Sequence, residues 1–174
     1  MYQSEHDELT GLYNKRSLNR YLEDVFEACK LNEKELGILF LDIDYFKQLN
    51  DRYGHGKGDE GICAVADTLK RIFPEDYVAR YGGDEFLVVM PERDLTYAME
   101  HAELLCAGIR ECKIPNEDSE VESWLTISVG GVCAIPKEPN RVWDFLSAAD
   151  NTLYEQKKEQ KGKVRFYQGE GKYL

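Results

Sequence analysis

Apolar residues recur along the chain with two periods, one helical and one extended. After Asn14, whose side chain suits a helix N-cap, Leu18, Tyr21, Leu22, Val25 and Cys29 fall on one helical face. Leu36 to Leu41 is an unbroken apolar run of strand length, the pattern of a central strand covered on both faces. Ile62, Val65, Ala66, Leu69 and Ile72 form a second helical stripe that stops at Pro74. Two short strand-like segments follow, Tyr77 to Tyr81 and Phe86 to Met90, with a Gly82-Gly83 turn between them. Leu95, Ala98, Ala102, Leu105 and Ile109 predict a third helix, and the polar, acidic stretch from Pro115 to Ser123 a loop. Trp124 to Ile135 is β-rich, and Gly130-Gly131 within it predicts a bulge or bend. Val142, Phe145, Leu146, Ala149 and Leu153 give a last helix, and Val164 to Tyr167 a last short strand. Helices interleaved with strands and a hairpin predict an α/β (α+β) fold, one sheet with helical cover.

The composition fits that layout. The chain has 174 residues, of which 43% are hydrophobic and 32% charged, enough for one domain with a real core. No apolar run is long enough to cross a bilayer, and the polar stretch from Met1 to Glu8 has no signal-peptide character. A cytoplasmic domain spanning 1–174 is expected, cut from a longer regulatory protein that could itself be attached to a membrane. Five scattered cysteines with no CxxC pair predict free, mostly buried thiols. The 22 basic and 33 acidic residues leave a net charge of −11, which repels a nucleic-acid backbone. An anionic nucleotide could bind only where metal ions and local lysines reverse the field.

Two acidic clusters carry the candidate chemistry. Asp42 and Asp44 stand two apart at the exit of the most hydrophobic strand, so in extended backbone they share a face. Such a pair suits Mg²⁺, which takes one or two protein carboxylates and fills its remaining positions with phosphate and water. Gly82-Gly83-Asp84-Glu85 occupies the hairpin, where glycines allow a tight turn and close approach of a bulky ligand. Taken alone, each cluster reads first as solvated turn residues. Two acidic strand ends side by side in a sheet, however, make a two-metal clamp for in-line attack of a hydroxyl on phosphorus. Metal-assisted nucleotidyl transfer is the chemistry expected.

Five ordered segments together resemble the GGDEF domain family. Asp7-Glu8-Leu9-Thr10-Gly11-Leu12-Tyr13-Asn14-Lys15-Arg16 is similar to its N-terminal signature. Asp42-Ile43-Asp44-Tyr45-Phe46-Lys47, with Asn50 and Gly54 to Asp59, is similar to its nucleotide segment. Arg80-Tyr81-Gly82-Gly83-Asp84-Glu85-Phe86 resembles the motif that names the family, and Thr126 to Gly130 and Ala148 to Tyr154 complete the series. The resemblance implies a palm-like fold, as in polymerases and nucleotidyl cyclases, with a mixed, largely antiparallel sheet. It implies a diguanylate cyclase that condenses two GTP into cyclic di-GMP and releases pyrophosphate. Each domain would hold one GTP, so catalysis would need a face-to-face homodimer, with an N-terminal regulatory region controlling pairing. The sequence has no heptad run, so activity of the isolated domain is expected to be weak or concentration-dependent.

Residue by residue, the resemblance implies two Mg²⁺ or Mn²⁺ ions held by Asp42, the backbone carbonyl of Ile43, and Asp84. Asp84 would also help deprotonate the ribose 3′-hydroxyl, with Glu85 in support. Asn50 and Asp59 would bind guanine, Asp59 disfavouring adenine; as a bare residue Asp59 equally reads as an acid facing a helix N-terminus. His55 would sit near the nucleotide or brace its loop. Backbone N–H groups at Phe46 and Lys47 would cradle phosphates, the Lys47 charge would act on the transition state, and Lys157 and Lys161 would reach the terminal phosphates. Two positions depart from the family: Lys161 stands where an arginine is usual, and Asp76 lacks the arginine three residues before it that forms a product-inhibition site. Strong product inhibition through Asp76 is therefore not expected. The rival reading is a non-catalytic module that binds GTP or a partner protein; a cyclase making mixed or adenine dinucleotides is disfavoured by Asp59.

Overall fold

The computed structural model describes residues 3–169 and Leu174; Met1 and Tyr2 of the polar N-terminal stretch lie outside it. The elements run α1 (Lys15–Leu31), β1 (Leu36–Ile43), α2 (Phe46–Tyr53), α3 (His55–Ile72), β2 (Tyr77–Arg80), β3 (Glu85–Pro91), α4 (Leu95–Glu111), β4 (Ile127–Ala134), α5 (Val142–Glu159) and β5 (Val164–Phe166). The five strands form one sheet in the order β2-β3-β1-β4-β5. Every pairing is antiparallel except the parallel β4–β5 edge. This is the mixed, largely antiparallel sheet that the family resemblance implied.

Strand periodicity decides what covers each face. Leu36, Ile38 and Phe40 of β1 pack with Leu18, Leu22 and Phe26 of α1 and with Phe145 and Leu153 of α5. The alternate residues Leu39, Leu41 and Ile43 pack instead with Leu49 of α2, Val65 and Leu69 of α3, and Leu105 of α4. Each such side chain, fully withdrawn from water, contributes about 1.5–3 kcal/mol, so a strand buried on both faces can anchor the whole sheet. Asp42 falls on the α5 side of β1, which turns it toward the C-terminal half of that helix.

The structure corrects the sequence reading in three places. First, α2 is a helix the periodicity did not predict, because Leu49 is its only buried residue. Second, Gly130-Gly131 forms no bulge: the pairing of β1 with β4 runs unbroken from Leu36↔Ala134 to Ile43↔Ile127. The glycines are there for clearance, since a Cβ on Gly130 would lie 2.3 Å from the Leu153 backbone nitrogen and one on Gly131 would lie 2.5 Å from the Phe166 ring. Third, of the five free thiols only Cys29 and Cys106 are fully buried, and Cys112 is exposed. The 115–123 loop and the Asn14 cap are as expected, the Asn14 Oδ1 accepting from the Ser17 N–H at 3.0 Å.

Candidate active site

The antiparallel register sets Asp42 directly between Glu85 on β3 and Ser128 on β4. The Asp42 Oδ2 accepts from the Lys157 ammonium at 2.5 Å, while its Oδ1 is buried without a hydrogen-bond partner. Burial pushes the Asp42 carboxyl up to about 6, against the opposing pull of Lys157. Burial likewise works against charge on Lys157, but the Asp42 carboxylate more than offsets it and the lysine stays protonated. Glu85 is raised by burial and by the charges of Asp84 and Asp150. Negative charge is thus in excess in this corner, and an oxygen atom is left unpaired.

Asp44 shares that face, as predicted, but is not a free ligand. Only 2% exposed, it accepts from the hydroxyls of Ser128 (2.6 Å) and Thr126 (2.8 Å), which oppose the upward push of burial on its pKa. The two hydroxyls stand two apart on a segment that is otherwise apolar from Leu125 to Val129. That alternation was the available signal for buried partners of an acid, and sequence reasoning passed over it. Ser128 in turn accepts from the Gly162 N–H at 2.9 Å, tying the loop after α5 to the same corner.

The glycine-acid hairpin is held from below. Arg80 donates through Nε to the carbonyls of Gly82 (3.1 Å) and Gly83 (3.2 Å), and through Nη2 to Gly83 at 2.8 Å. Its Nη1 pairs with Asp7 at 3.2 Å. The Asp84 carbonyl accepts from the Ile43 N–H at 3.2 Å, joining the hairpin to the end of β1. Neither Gly82 nor Gly83 has a positive φ, so conformational freedom is not what these positions need. A Cβ on Gly82 would meet the Glu85 carboxylate at 2.7 Å, whereas Gly83 faces open space.

Burial pushes the Asp7 pKa up, but hydrogen bonds from Thr10 and Arg80 outweigh it and the net shift is downward. A carboxylate with a lowered folded-state pKa adds stability that is complete above its unfolded value of 3.8 and is lost as pH falls through the folded value. Asp7→Asn is expected to cost about 1–3 kcal/mol near neutral pH. Denaturant melts should show that cost shrinking below the unfolded pKa; a cost independent of pH would contradict the clamp.

The remaining predicted residues lie around α2, α3 and the end of α5. Phe46 and Lys47 open α2, whose N-cap residue, Tyr45, provides no side-chain cap to the first N–H groups. Lys47 is 85% exposed and pairs with Asp51 at 3.3 Å, so it is not drawn into the acid cluster. Asn50 sits where α3 crosses α2, its Oδ1 buried and unpartnered beside Gly58. His55 and Asp59 are exposed on α3. Since α3 begins at His55, Asp59 lies beyond the first turn, which removes the helix-dipole reading. Lys157 is in the last turn of α5, and the Lys161 ammonium lies 4.2 Å from the centroid of the Tyr45 ring.

Asp76 lies at the far end of β2. Its side chain, 2% exposed, accepts from the Tyr97 hydroxyl at 2.6 Å and pairs with Arg93 at 3.4 Å. Both oxygens are engaged inside the protein. Any inhibition by cyclic di-GMP is therefore expected to be the same in wild type and Asp76→Ala; inhibition that the substitution abolishes would overturn this.

The residues suit a divalent cation. Two carboxylates converge from adjacent strands, one carries an orphaned buried oxygen, and an ammonium already neutralises the other side of it. Among the described residues, no group of three or more His, Cys, Asp or Glu could hold a metal alone, so phosphate and water would complete the shell. A cavity of about 230 Å³ beside Glu85 is lined by Phe40, Tyr81, Trp143 and Asp150. A larger one, about 500 Å³, lies between α5 and β5 and touches none of the acidic cluster.

A largely antiparallel sheet with carboxylates at the exit of its central strand defines a palm-like cyclase fold. The chain belongs to the family described as diguanylate cyclase, GGDEF domain, whose model matches residues 4–163. It is 33% identical over 156 residues to the probable diguanylate cyclase DgcC of Escherichia coli, covering 89% of this chain and 41% of that protein. It is 32% identical over 163 residues to the cyclic di-GMP phosphodiesterase NbdA of Pseudomonas aeruginosa, covering 93% of this chain and 20% of that protein. The chain thus spans less than half the length of these curated relatives. The crystal structure of the GGDEF domain of DgcB from Caulobacter crescentus in complex with c-di-GMP superposes with a TM-score of 0.87 at 25% identity, covering 97% of this chain and 99% of that one. Among the described residues no helix is long and apolar enough to cross a membrane.

Proposed function

We propose that this chain is the catalytic domain of a diguanylate cyclase, acting on GTP as a homodimer with one nucleotide per subunit and releasing pyrophosphate. The observation that carries the reading is the Asp42 carboxylate: set between Glu85 and Ser128, half-buried, its Oδ1 withdrawn from water without a partner and its Oδ2 held by Lys157. Asp42, the Ile43 carbonyl and Asp84 would hold Mg²⁺ or Mn²⁺, two ions per site. When bound, the metal lowers the pKa of the attacking hydroxyl and neutralises charge on the phosphates.

The chain's own residues do the rest. Asp84, with Glu85 beside it, takes the proton of the ribose 3′-hydroxyl. Asp59 accepts from the N1–H and exocyclic amine of guanine and Asn50 hydrogen-bonds the same base near the crossing of α2 and α3, where the unpartnered Asn50 oxygen supports the assignment, and His55 lies beside them. The uncapped start of α2 at Phe46 and Lys47 offers N–H groups to phosphate. Lys157 and Lys161 supply positive charge on the opposite side. A reactive 3′-hydroxyl and the α-phosphate it attacks belong to different subunits, which is why a single domain is only half a site. The short share of relatives' length that this chain covers supports a longer parent protein whose additional region governs pairing.

The test is product identity. The domain is incubated with GTP, ATP or both, plus Mg²⁺ or Mn²⁺, and products are identified by mass, with Asp84→Ala as the control. Cyclic di-GMP from GTP alone, absent in the control, supports the reading. GTP binding with no product, even when two copies are forced together by a fused dimerising segment, would establish the non-catalytic module instead.

A further inference from the structure

The acidic loop 115–123 has no role in the reading above, yet it braces both flanks of the phosphate side of the site. On one flank, Arg52 of α2 pairs with Glu117 at 2.7 Å and with Asp118 at 3.2 Å. On the other, Arg110 of α4 pairs with Glu122 at 2.8 Å and donates to the Gly162 carbonyl at 2.8 Å. Between them, Asn116 reaches the carbonyls of Asp44 and Tyr45, each at 3.4 Å.

Tyr45 is where these ties meet. Its backbone is left-handed, with φ 52° and ψ 37°, a conformation that a non-glycine residue keeps only when its surroundings enforce it. Its hydroxyl donates to the Glu120 carboxylate at 3.1 Å. Its ring carries the Lys161 ammonium, 4.2 Å from the centroid. A free lysine gives up most of its rotamer freedom on grasping a phosphate; a lysine resting on an anchored ring has already given up much of it. Because the ring faces Lys161 and the backbone of Tyr45 opens α2, one residue sets the spacing between the two phosphate-binding flanks.

We propose that Tyr45, anchored by Glu120 of the acidic loop, is a positioning residue that holds the Lys161 ammonium in place for the GTP polyphosphate. The inference rests on the reading of this site as a GTP site. The ion pairs of the loop are exposed at Arg52 and half-buried at Arg110 and individually add little stability, so a merely structural loop would leave nucleotide affinity untouched.

The experiment is calorimetric titration of Mg²⁺–GTP into wild type, Tyr45→Phe, Tyr45→Ala, Lys161→Met and the Tyr45→Ala/Lys161→Met double variant. Tyr45→Ala and Lys161→Met are each expected to weaken binding by roughly tenfold. The double variant should bind no more weakly than Lys161→Met, because Tyr45 acts through that lysine. Tyr45→Phe keeps the ring under Lys161 but loses the Glu120 anchor, and should bind with an affinity between those of wild type and Tyr45→Ala. In turnover, KM for GTP should rise while kcat changes less than about twofold, the pattern of lost uniform binding. If Tyr45→Ala does not fold, Tyr45→Leu replaces it, keeping bulk without the π face. Additive losses in the double variant, or unchanged affinity in Tyr45→Ala, overturn the proposal. A wild type that binds no GTP overturns the functional reading along with it, whereas a wild type that binds GTP as tightly as Tyr45→Ala overturns this inference alone.

Discussion

Replacing Asp42 with asparagine is expected to cut cyclic di-GMP formation by roughly a thousandfold or more, while the metal-free protein unfolds within a few degrees of wild type. The two halves of that expectation have one cause. The Asp42 carboxylate sits in a buried corner where burial has pushed its pKa up to about 6, beside Asp44 and Asp84, which push it further. Keeping it charged costs the folded state something, and the contact with Lys157 recovers only part. Asparagine has nearly the same shape and still offers Lys157 an oxygen, and the ammonium it leaves without an ion pair is one-third exposed and still faces Asp44 and Asp84, so the loss of stability is small. What it cannot do is supply an anionic ligand. Mg²⁺ should therefore raise the unfolding midpoint of wild type and leave that of Asp42→Asn where it was. Turnover retained in the variant, or an equal Mg²⁺ shift in both proteins, would remove Asp42 from the metal site.

Much of this corner was legible in the sequence because its parts lie on strands and follow strand rules. The apolar run from Leu36 to Leu41 located the central strand, and period two placed Asp42 and Asp44 on one face. What the pattern could not show is that one of those two carboxylates is already occupied. That depends on Ser128 and Thr126, more than eighty residues away, reaching Asp44 from the neighbouring strand. Likewise, nothing local to Arg80 reveals that it holds the turn it precedes, or that its other partner is Asp7. Helix α2 was missed because a helix with one buried residue has almost no hydrophobic period to read. The acidic stretch read only as a loop because its acids find their partners on other elements, Glu117 and Asp118 with Arg52 of α2 and Glu122 with Arg110 of α4. Sequence patterns report how a segment meets the core; they are silent on which polar groups find each other across it.

The glycines illustrate the same division, and one of them carries the largest expected effect on the fold. Gly130→Ala should destabilise the protein by about 3 kcal/mol or more, lowering the thermal midpoint by roughly 6–12 °C for a domain of this size. A Cβ there would lie 2.3 Å from the Leu153 nitrogen, 2.4 Å from the Ala149 carbonyl oxygen and 2.7 Å from the Leu153 Cα. All three are backbone atoms of α5, so no side chain can turn aside; either the helix lifts off β4 or the strand bends away from β1. Gly83→Ala is the matched control, since its Cβ would enter open space, and it should change stability by less than about 0.5 kcal/mol. The consequence reaches the site. Lys157 projects from the last turn of the same helix to Asp42 at 2.5 Å, so a lifted α5 would withdraw the ammonium from the acid cluster. Folded Gly130→Ala protein, held well below its lowered midpoint, is thus expected to lose GTP affinity as well as stability, whereas Gly83→Ala loses no stability. Equal melting curves for Gly130→Ala and wild type would show that α5 does not seat on β4 as closely as the structure has it.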